Sequence, residues 1–332
     1  MLTAHLDRTT ARAIISLANR APSVHNSQPW RWRIGPSSIH LFADPQRALP
    51  AIDPEGRDLR LSCGAALHHL RVALLAAGMG AQVHRLPDPA HPLHLAAVEP
   101  HLDRPTPDDL AIARAIENRR SDRRVFSTWP VPAEMLAVVQ AAAARQGAQL
   151  TILDRESERS SVARLVEHAA VEQALTPDAS SETAAWSGRS RGAREGVPSA
   201  NVPAEPEGAM PMRHFAGSEQ PQNMLGRDET DGTVFALLAT PGDSPVDQLQ
   251  AGEALSAVLL QATRFGLATD PVSQPLEVRA TRLALSESLL RGTAEPQVLL
   301  RIGWAPMSAT PVPQTGRRPV GDTIDAMDLP WD

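Results

Sequence analysis

Residues 21–32 read APSVHNSQPWRW and form the most distinctive stretch of the chain. A predicted amphipathic helix over residues 11–19 precedes it, and a predicted strand over residues 32–42 follows. Because proline restricts the backbone and small polar residues favour turns, we expect a rigid loop that presents hydroxyl and amide groups. From composition alone, the stretch also fits a helix cap and a turn followed by a core tryptophan.

An internal repeat lies on either side of the middle of the chain. GAALHHLRVALLAAGMGA (64–81) and GEALSAVLLQATRFGLAT (252–269) share an apolar stripe with helical spacing, and each predicted helix meets a glycine. An apolar strand candidate then follows in both cases, LHLAAVEP (93–100) and QVLLRIGWA (297–305). Any two buried amphipathic helices would share the stripe, but the glycines and the following strands favour a duplication within one chain.

Composition and charge exclude several classes of function. With 38 acidic and 32 basic residues, the net charge of −6 argues against nonspecific binding to nucleic acid or to an anionic membrane. The chain contains no lysine, so a phosphate held by a side-chain cation must be held by arginine.

The expected location is the cytoplasm. Cys63 is the only cysteine, which fits a reducing compartment. The N-terminal residues lack the apolar run of a signal peptide, and the apolar stretches are far shorter than the ~20 residues of a membrane span.

Two arginine clusters are candidate anion sites. The first is the run RRSDRR at 119–124, and the second is the pair Arg317 and Arg318. Both could be solvated charge runs. In an extended segment, however, Arg119, Ser121 and Arg123 would project to one side and offer two guanidinium forks and a hydroxyl to a phosphate.

Other common sites are not predicted. No G-x-G-x-x-G follows a predicted strand, and no P-loop lysine or nucleophile elbow is present. The histidines lack the spacing and carboxylate neighbours of a zinc site, so no metal is expected.

The weakly patterned segment from about 155 to 232 is predicted to be a lid or disordered. Its apolar Trp186, Met210, Met212 and Phe215 predict that part of it packs onto the rest of the chain.

The loop APSVHNSQPWRW resembles the A-P-S-x-x-N-x-Q-P-W-x-F/W signature of FMN-dependent nitroreductases. RRSDRRVF resembles that family's R-x-S-x-R phosphate motif, residues 252–275 its central helix and flavin-flanking loop, and RIGWAP its penultimate strand. The resemblance covers most of the chain except residues 155–232. It implies an α+β nitroreductase-like fold built from mixed α/β/α sandwiches.

The order of the motifs resembles the internally duplicated, Acg-type branch of the family. A first half over residues 1–110 would carry the loop motif. A second half over residues 111–332, with the lid-like insert, would carry the arginine motif. The resemblance therefore implies a monomer that imitates the usual dimer, with further dimerisation left open.

The resemblance also assigns residues to one FMN site. The phosphate and ribityl chain would be held by Arg119, Ser121 and Arg123 of the run that includes Arg120, and by Arg317 with Arg318. The flavin ring would be faced by Pro22, Ser23, Val24 and Asn26, with His25 nearby. The segment Pro271, Val272, Ser273 and Gln274 would pass close to the redox edge of the ring. The family's phenylalanine is displaced by one position, to Phe126, which leaves the choice between Arg123 and Arg124 open.

The implied reaction uses NAD(P)H as a transient co-substrate and a nitroaromatic, quinone or similar small molecule as acceptor. The cofactor carries the hydride, so no catalytic side chain is expected. Two alternatives remain: an FMN storage protein whose lid blocks turnover, and an oxidase acting on a biosynthetic intermediate.

Overall fold

The computed structural model describes residues 6–35, 37–204, 213–223 and 232–325. The first part of the chain contains α1 (Arg8–Ala18), β1 (Trp30–Ile34), β2 (Ile39–Ala43), α2 (Arg57–Ala76), β3 (Met79–Arg85), β4 (His94–Leu102) and α3 (Pro107–Asn118). The second part contains α4 (Ala133–Ala144), β5 (Gln149–Leu153), α5 (Glu156–Ala174), α6 (Pro177–Ala185), β6 (Val234–Thr240), α7 (Pro245–Arg264), β7 (Ala268–Val272), α8 (Gln274–Glu277), α9 (Arg279–Leu290) and β8 (Glu295–Gly303).

The described strands form two four-stranded antiparallel sheets with equivalent topology. Their orders are β1-β2-β4-β3 and β5-β6-β8-β7. Even an irregularity recurs, because the register shifts at Leu41/Phe42 of β2 and again at Leu238/Ala239 of β6. The predicted α+β class is therefore present, with the two similar sheets that a duplication would produce.

The two sheets are joined through α2 and α7, which carry the repeated sequence and pack against each other along their lengths. They cross at Gly64 and Gly252, where backbone meets backbone. Three positions of the predicted apolar stripe are buried in each helix: Leu67, Leu70 and Leu74 in α2, and Leu255, Val258 and Ala262 in α7. The last position of each stripe is not, since Ala77 is exposed and Phe265 is partly buried.

Some predicted boundaries were wrong. The strand expected over residues 32–42 is the hairpin β1–β2, in which Ile34 pairs with Ile39 and the Gly35 N–H donates to the Ser38 carbonyl oxygen at 2.7 Å. Pro271 and Val272 end strand β7 instead of lying in a loop. The first part of the segment predicted as an insert is helix α5, and its Val162 and Val166 belong to the same buried apolar cluster as Leu237 of β6 and Leu299 of β8.

Asn19 connects the loop motif to the C-terminal tail. Its Oδ1 accepts hydrogen bonds from Nε1 of Trp30 (2.9 Å) and of Trp32 (3.0 Å), and its Nδ2 donates to Thr323 Oγ1 at 2.8 Å. The tail thus returns from the second sheet and pairs beside β1 through Ile324. Both tryptophans are buried in the core, as the alternative interpretation of this stretch expected.

Among the described residues, every helix is too short or too polar to cross a membrane. Met210 and Met212 lie outside the described residues.

Candidate active site

One cleft brings together most of the residues that the sequence assigns to the site. It consists of two adjoining cavities that share five lining residues: Pro22, Ser23, His25, Ser121 and Arg123. The smaller cavity, whose lining includes four arginines, is called the cationic end below. The larger cavity, called the deep end, combines apolar residues such as Leu61 and Leu255 with polar and charged ones, and includes Pro271–Gln274.

The cationic end contains guanidinium groups with nitrogens that nothing in the described part of the chain binds. Arg119 is only 6% exposed, and neither its Nε nor its Nη1 has a hydrogen-bond partner among the described residues. Arg317 lines the same cavity. Its Nε has no partner among those residues either, and its Nη2 donates to the carbonyl oxygens of Arg20 (3.2 Å) and Ala21 (3.3 Å). Within the described part of the chain, no carboxylate forms an ion pair with either side chain.

The crowding of like charges is visible in the pKa values. Desolvation, with Arg120 and Arg20 nearby, lowers the pKa of Arg119 to about 10. Desolvation, with Arg119, Arg20 and Arg120, lowers the pKa of Arg317 to about 9. Cations held this closely are stabilised by a bound anion, so the cationic end has the character of an anion site.

Arg20 was missed from the sequence because it lies two residues beyond the end of α1, where a single arginine is unremarkable. The alternating pattern of the arginine run is present, since Arg119, Ser121 and Arg123 all line this end of the cleft. Arg120 also lines it, and its Nη1 donates to the carbonyl oxygens of Glu117 and Arg119.

The structure separates Arg123 from Arg124. Arg123 lines both cavities and lies over the ring of Phe215, with 4.9 Å from its guanidinium carbon to the ring centroid. Arg124 is buried away from the cleft and binds Asp122 through two nitrogens, with Nε–Oδ1 at 2.9 Å and Nη2–Oδ2 at 2.7 Å. Arg123 is therefore the arginine available to a ligand.

The prediction for Arg318 needs correction. It does not line the cleft, because its side chain turns toward Asp44, with Nη1 at 3.7 Å from Oδ2. Its Nη1 also donates to the carbonyl oxygen of Gln28 at 3.2 Å, and its backbone N–H donates to Gln28 Oε1 at 2.8 Å. Arg318 fixes the tail to the loop, whereas its neighbour Arg317 faces the cavity.

The loop motif reaches the cleft through an uncommon backbone conformation. His25, Asn26 and Gln28 have φ of 50°, 54° and 52°, in the left-handed region that residues other than glycine rarely adopt. Hydrogen bonds hold this shape: Ser23 Oγ accepts from the Gln28 N–H at 2.9 Å, and Ser62 Oγ accepts from the Val24 N–H at 3.2 Å. Such strain is typical of functional loops.

Asn26 ties the loop to two other segments. Its Nδ2 donates to the carbonyl oxygens of Gly196, in the insert, and of Gly316, in the tail, both at 3.2 Å. Its Oδ1 is buried and has no partner among the described residues.

The insert contributes Arg213 and Phe215 to the lining of the deep end. Arg213 Nη1 lies 2.6 Å from His25 Nε2, and its Nη2 donates to Glu277 Oε2. Phe215 makes an edge contact with the His25 ring at 5.5 Å. Burial, with Arg213 and Arg123 nearby, holds the pKa of His25 well below its ordinary value, so the ring is neutral at physiological pH.

The four residues Pro271–Gln274 enter the deep end where β7 gives way to α8. Ser273 Oγ donates to Glu277 Oε1 at 2.7 Å, and Gln274 Oε1 is buried without a partner among the described residues. This edge of the cleft is therefore polar, and the Glu277 carboxylate that binds Ser273 also binds Arg213.

Asp58 also lines the deep end and was missed from the sequence. An acidic residue in the first turn of a helix is ordinary, since it complements the helix dipole. Only the packing of α2 against the loop motif shows that this carboxyl faces the cleft.

No protein-family model matches the chain, but curated relatives do. It is 43% identical over 325 residues to "Putative NAD(P)H nitroreductase Rv3131" of Mycobacterium tuberculosis H37Rv, covering 96% of this chain and 92% of the relative. It is 35% identical over 322 residues to "Putative NAD(P)H nitroreductase acg" of the same organism, covering 94% of each. Among solved structures, a Desulfitobacterium hafniense nitroreductase with bound FMN covers 66% of this chain and 98% of its own at 14% identity and a TM-score of 0.40.

Proposed function

Because this chain belongs to the nitroreductase family that includes Acg of Mycobacterium tuberculosis, we propose that it binds one FMN in the cleft and acts as an NAD(P)H-dependent oxidoreductase. The observation that carries the proposal is the cationic end, where Arg119 and Arg317 present unpartnered nitrogens without a counter-charge among the described residues.

The residues of the cleft fit the chemistry of FMN. Arg119, Ser121 and Arg317 offer charge-assisted and hydroxyl hydrogen bonds to a phosphate. Beyond them, Ser23 and Arg123 line both cavities, and the apolar residues Leu61, Leu255 and Val298 of the deep end suit the face of a flat ring. When bound there, FMN would supply hydride transfer between a nicotinamide and an acceptor.

The protein's own contribution is positioning and exclusion of water. The strained loop around His25 and the polar edge at Ser273 and Gln274 form two sides of the deep end, and the insert forms a third through Phe215. A planar nitroaromatic or quinone-type acceptor matches this shape and lining.

A second candidate function is FMN storage. It is supported by the contacts of Arg213 with His25 and Glu277, which would hold the insert where a nicotinamide has to approach. Hydride transfer requires reacting atoms about 3–3.5 Å apart, so a permanently closed insert would prevent turnover.

Charge removal at the cationic end tests FMN binding. We expect Arg119→Ala with Arg317→Ala to weaken FMN binding roughly 100-fold or more, since each lost charge-assisted bond is worth about 1.5–3 kcal/mol. The control is Arg104→Ala with Arg114→Ala, which removes two exposed arginines that do not line the cleft. Equal FMN affinity in the two double variants would refute the site.

A further inference from the structure

Asp58 carries a buried carboxyl, and one of its two oxygens has no hydrogen-bond partner among the described residues. It is 3% exposed and lies in the first turn of α2. Its Oδ1 accepts from Arg57 Nη1 at 3.1 Å, whereas its Oδ2 is buried and has no partner among the described residues. The carboxyl lines the same deep end as Pro271–Gln274.

Its position is fixed relative to the loop motif. Ser62 Oγ donates to the Asp58 carbonyl oxygen at 2.7 Å and accepts from the Val24 N–H at 3.2 Å. One hydroxyl therefore links the first turn of α2 to the loop that borders the cleft, which holds Asp58 in place beside a ligand.

The groups around Asp58 favour its protonated form. Burial is the largest effect, Asp53 and Glu277 add negative charge, and Arg57 and Arg213 oppose them, with a net rise of its pKa to about 8. The other charged or titratable side chains lining the deep end are His25, Arg123 and Asp270. The Asp58 carboxyl consequently carries its proton at neutral pH.

Asp270 is the other carboxyl of the deep end, but its charged surroundings differ. Its Oδ2 also has no hydrogen-bond partner among the described residues, and it lies 3.7 Å from Arg301 Nη1. Burial raises the pKa of Asp270 and Arg123 and Arg301 oppose that rise, with Asp122 adding negative charge. At Asp58 two carboxylates, Asp53 and Glu277, add negative charge and favour the protonated form.

We propose that Asp58 is the proton donor to a quinone-class acceptor reduced in the deep end. The inference rests on the proposed function, in which NAD(P)H supplies the electron pair. A quinone that gains a hydride becomes a hydroquinone monoanion. The O–H bond of Asp58 then breaks, a new O–H bond forms on the hydroquinone oxygen, and the carboxylate that remains regains a proton from water.

The first test replaces Asp58 with asparagine, which keeps the shape but has no carboxyl proton to give. We expect Asp58→Asn to retain FMN, and NADPH should reduce the bound flavin at the normal rate. Reoxidation of that flavin by a benzoquinone should be roughly 100-fold slower than in the wild type, at the lower end of the effect of losing a general acid. The wild-type reoxidation rate should fall as pH rises through about 8, and the variant should show no such step.

Asp53→Asn is the matched control. Asp53 is also a buried carboxyl and raises the pKa of Asp58, but it does not line the cleft. We expect it to move the pH midpoint of reoxidation downward and to leave the rate below that midpoint unchanged.

A readout that does not involve turnover is the infrared carbonyl band of a protonated carboxyl. At neutral pH we expect a band that disappears in Asp58→Asn and weakens as pH rises through about 8. Absence of such a band, or wild-type reoxidation by Asp58→Asn at every pH, would overturn the inference while leaving FMN binding intact. A wild-type chain that binds no FMN would overturn the proposed function and this inference with it.

Discussion

Gly64 of α2 and Gly252 of α7 face each other at the crossing of the two helices, and neither has room for a side chain. A Cβ on Gly64 would lie 2.0 Å from the Leu249 carbonyl oxygen, and one on Gly252 would lie 1.9 Å from that of Leu61. The contact is reciprocal, and residues 188 positions apart also touch directly, as His68 and Ser256 do at 2.7 Å. The repeated helices therefore pack about a local two-fold axis.

The first prediction concerns this crossing. In an ordinary helix, replacing glycine with alanine would stabilise the fold by about 1 kcal/mol. At Gly252 the clash is with backbone, so we expect Gly252→Ala to lower the free energy of unfolding by at least about 2 kcal/mol. Urea denaturation measures it, with Gly192→Ala as control, since a Cβ there meets nothing within 4 Å. Equal stability of the two variants would contradict the close crossing.

Inorganic phosphate should stabilise the FMN-free protein. An anion that occupies the cationic end binds only the folded chain, which would raise the free energy of unfolding by about 2.7 kcal/mol at 100 times its Kd. Arg317→Met should abolish this gain and also raise stability in phosphate-free buffer, because it removes an uncompensated cation. Arg104→Met, on the surface, should respond to phosphate like the wild type. If Arg317→Met does so too, the anion site is wrong.

The insert should control access to the deep end. Phe215 packs against His25 and Arg123, so Phe215→Ala is expected to open space beside them. We predict that flavin reduction by NADPH becomes about 10-fold faster, equivalent to ~1.4 kcal/mol in the barrier, with FMN affinity little changed. Stopped-flow absorbance measures the rate, and Trp129→Ala at an exposed site is the control. An unchanged rate would show that this contact does not limit access.

Stability should depend on pH through Asp58. Its pKa is about 8 in the folded chain against 3.8 in the unfolded reference, so the folded state binds more protons between these values. The contribution of Asp58 to the free energy of unfolding is full below about pH 4 and is lost as pH rises toward 8, at no more than about 1.4 kcal/mol per pH unit. When the free energy of unfolding is measured by chemical denaturation from pH 4 to 8, it should fall less in Asp58→Asn than in the wild type. Parallel pH profiles would contradict the raised pKa.

The elements and the cofactor motifs were predictable because their signals are local. The repeat around Gly64 and Gly252 depends on helical periodicity within one segment. The loop at Ser23–Asn26 and the run at Arg119–Arg123 are contiguous motifs, and the structure brings both to one cleft.

The remaining features depend on contacts between distant segments. Arg20 and Asp58 look like ordinary helix-end residues until α1, α2 and the tail are packed together. Arg317 and Arg318 are equivalent in the sequence, and only the position of Asp44 determines which one turns away from the cleft. The division of the chain at residue 110 stays a prediction.

The most direct test of the account is the amount of FMN bound by the purified chain. Denaturation of the wild-type protein should release one FMN per chain, and Arg119→Ala with Arg317→Ala should release almost none while remaining folded. A wild-type chain that binds no flavin when supplied with excess FMN would contradict the account, as would a double variant that retains a full equivalent.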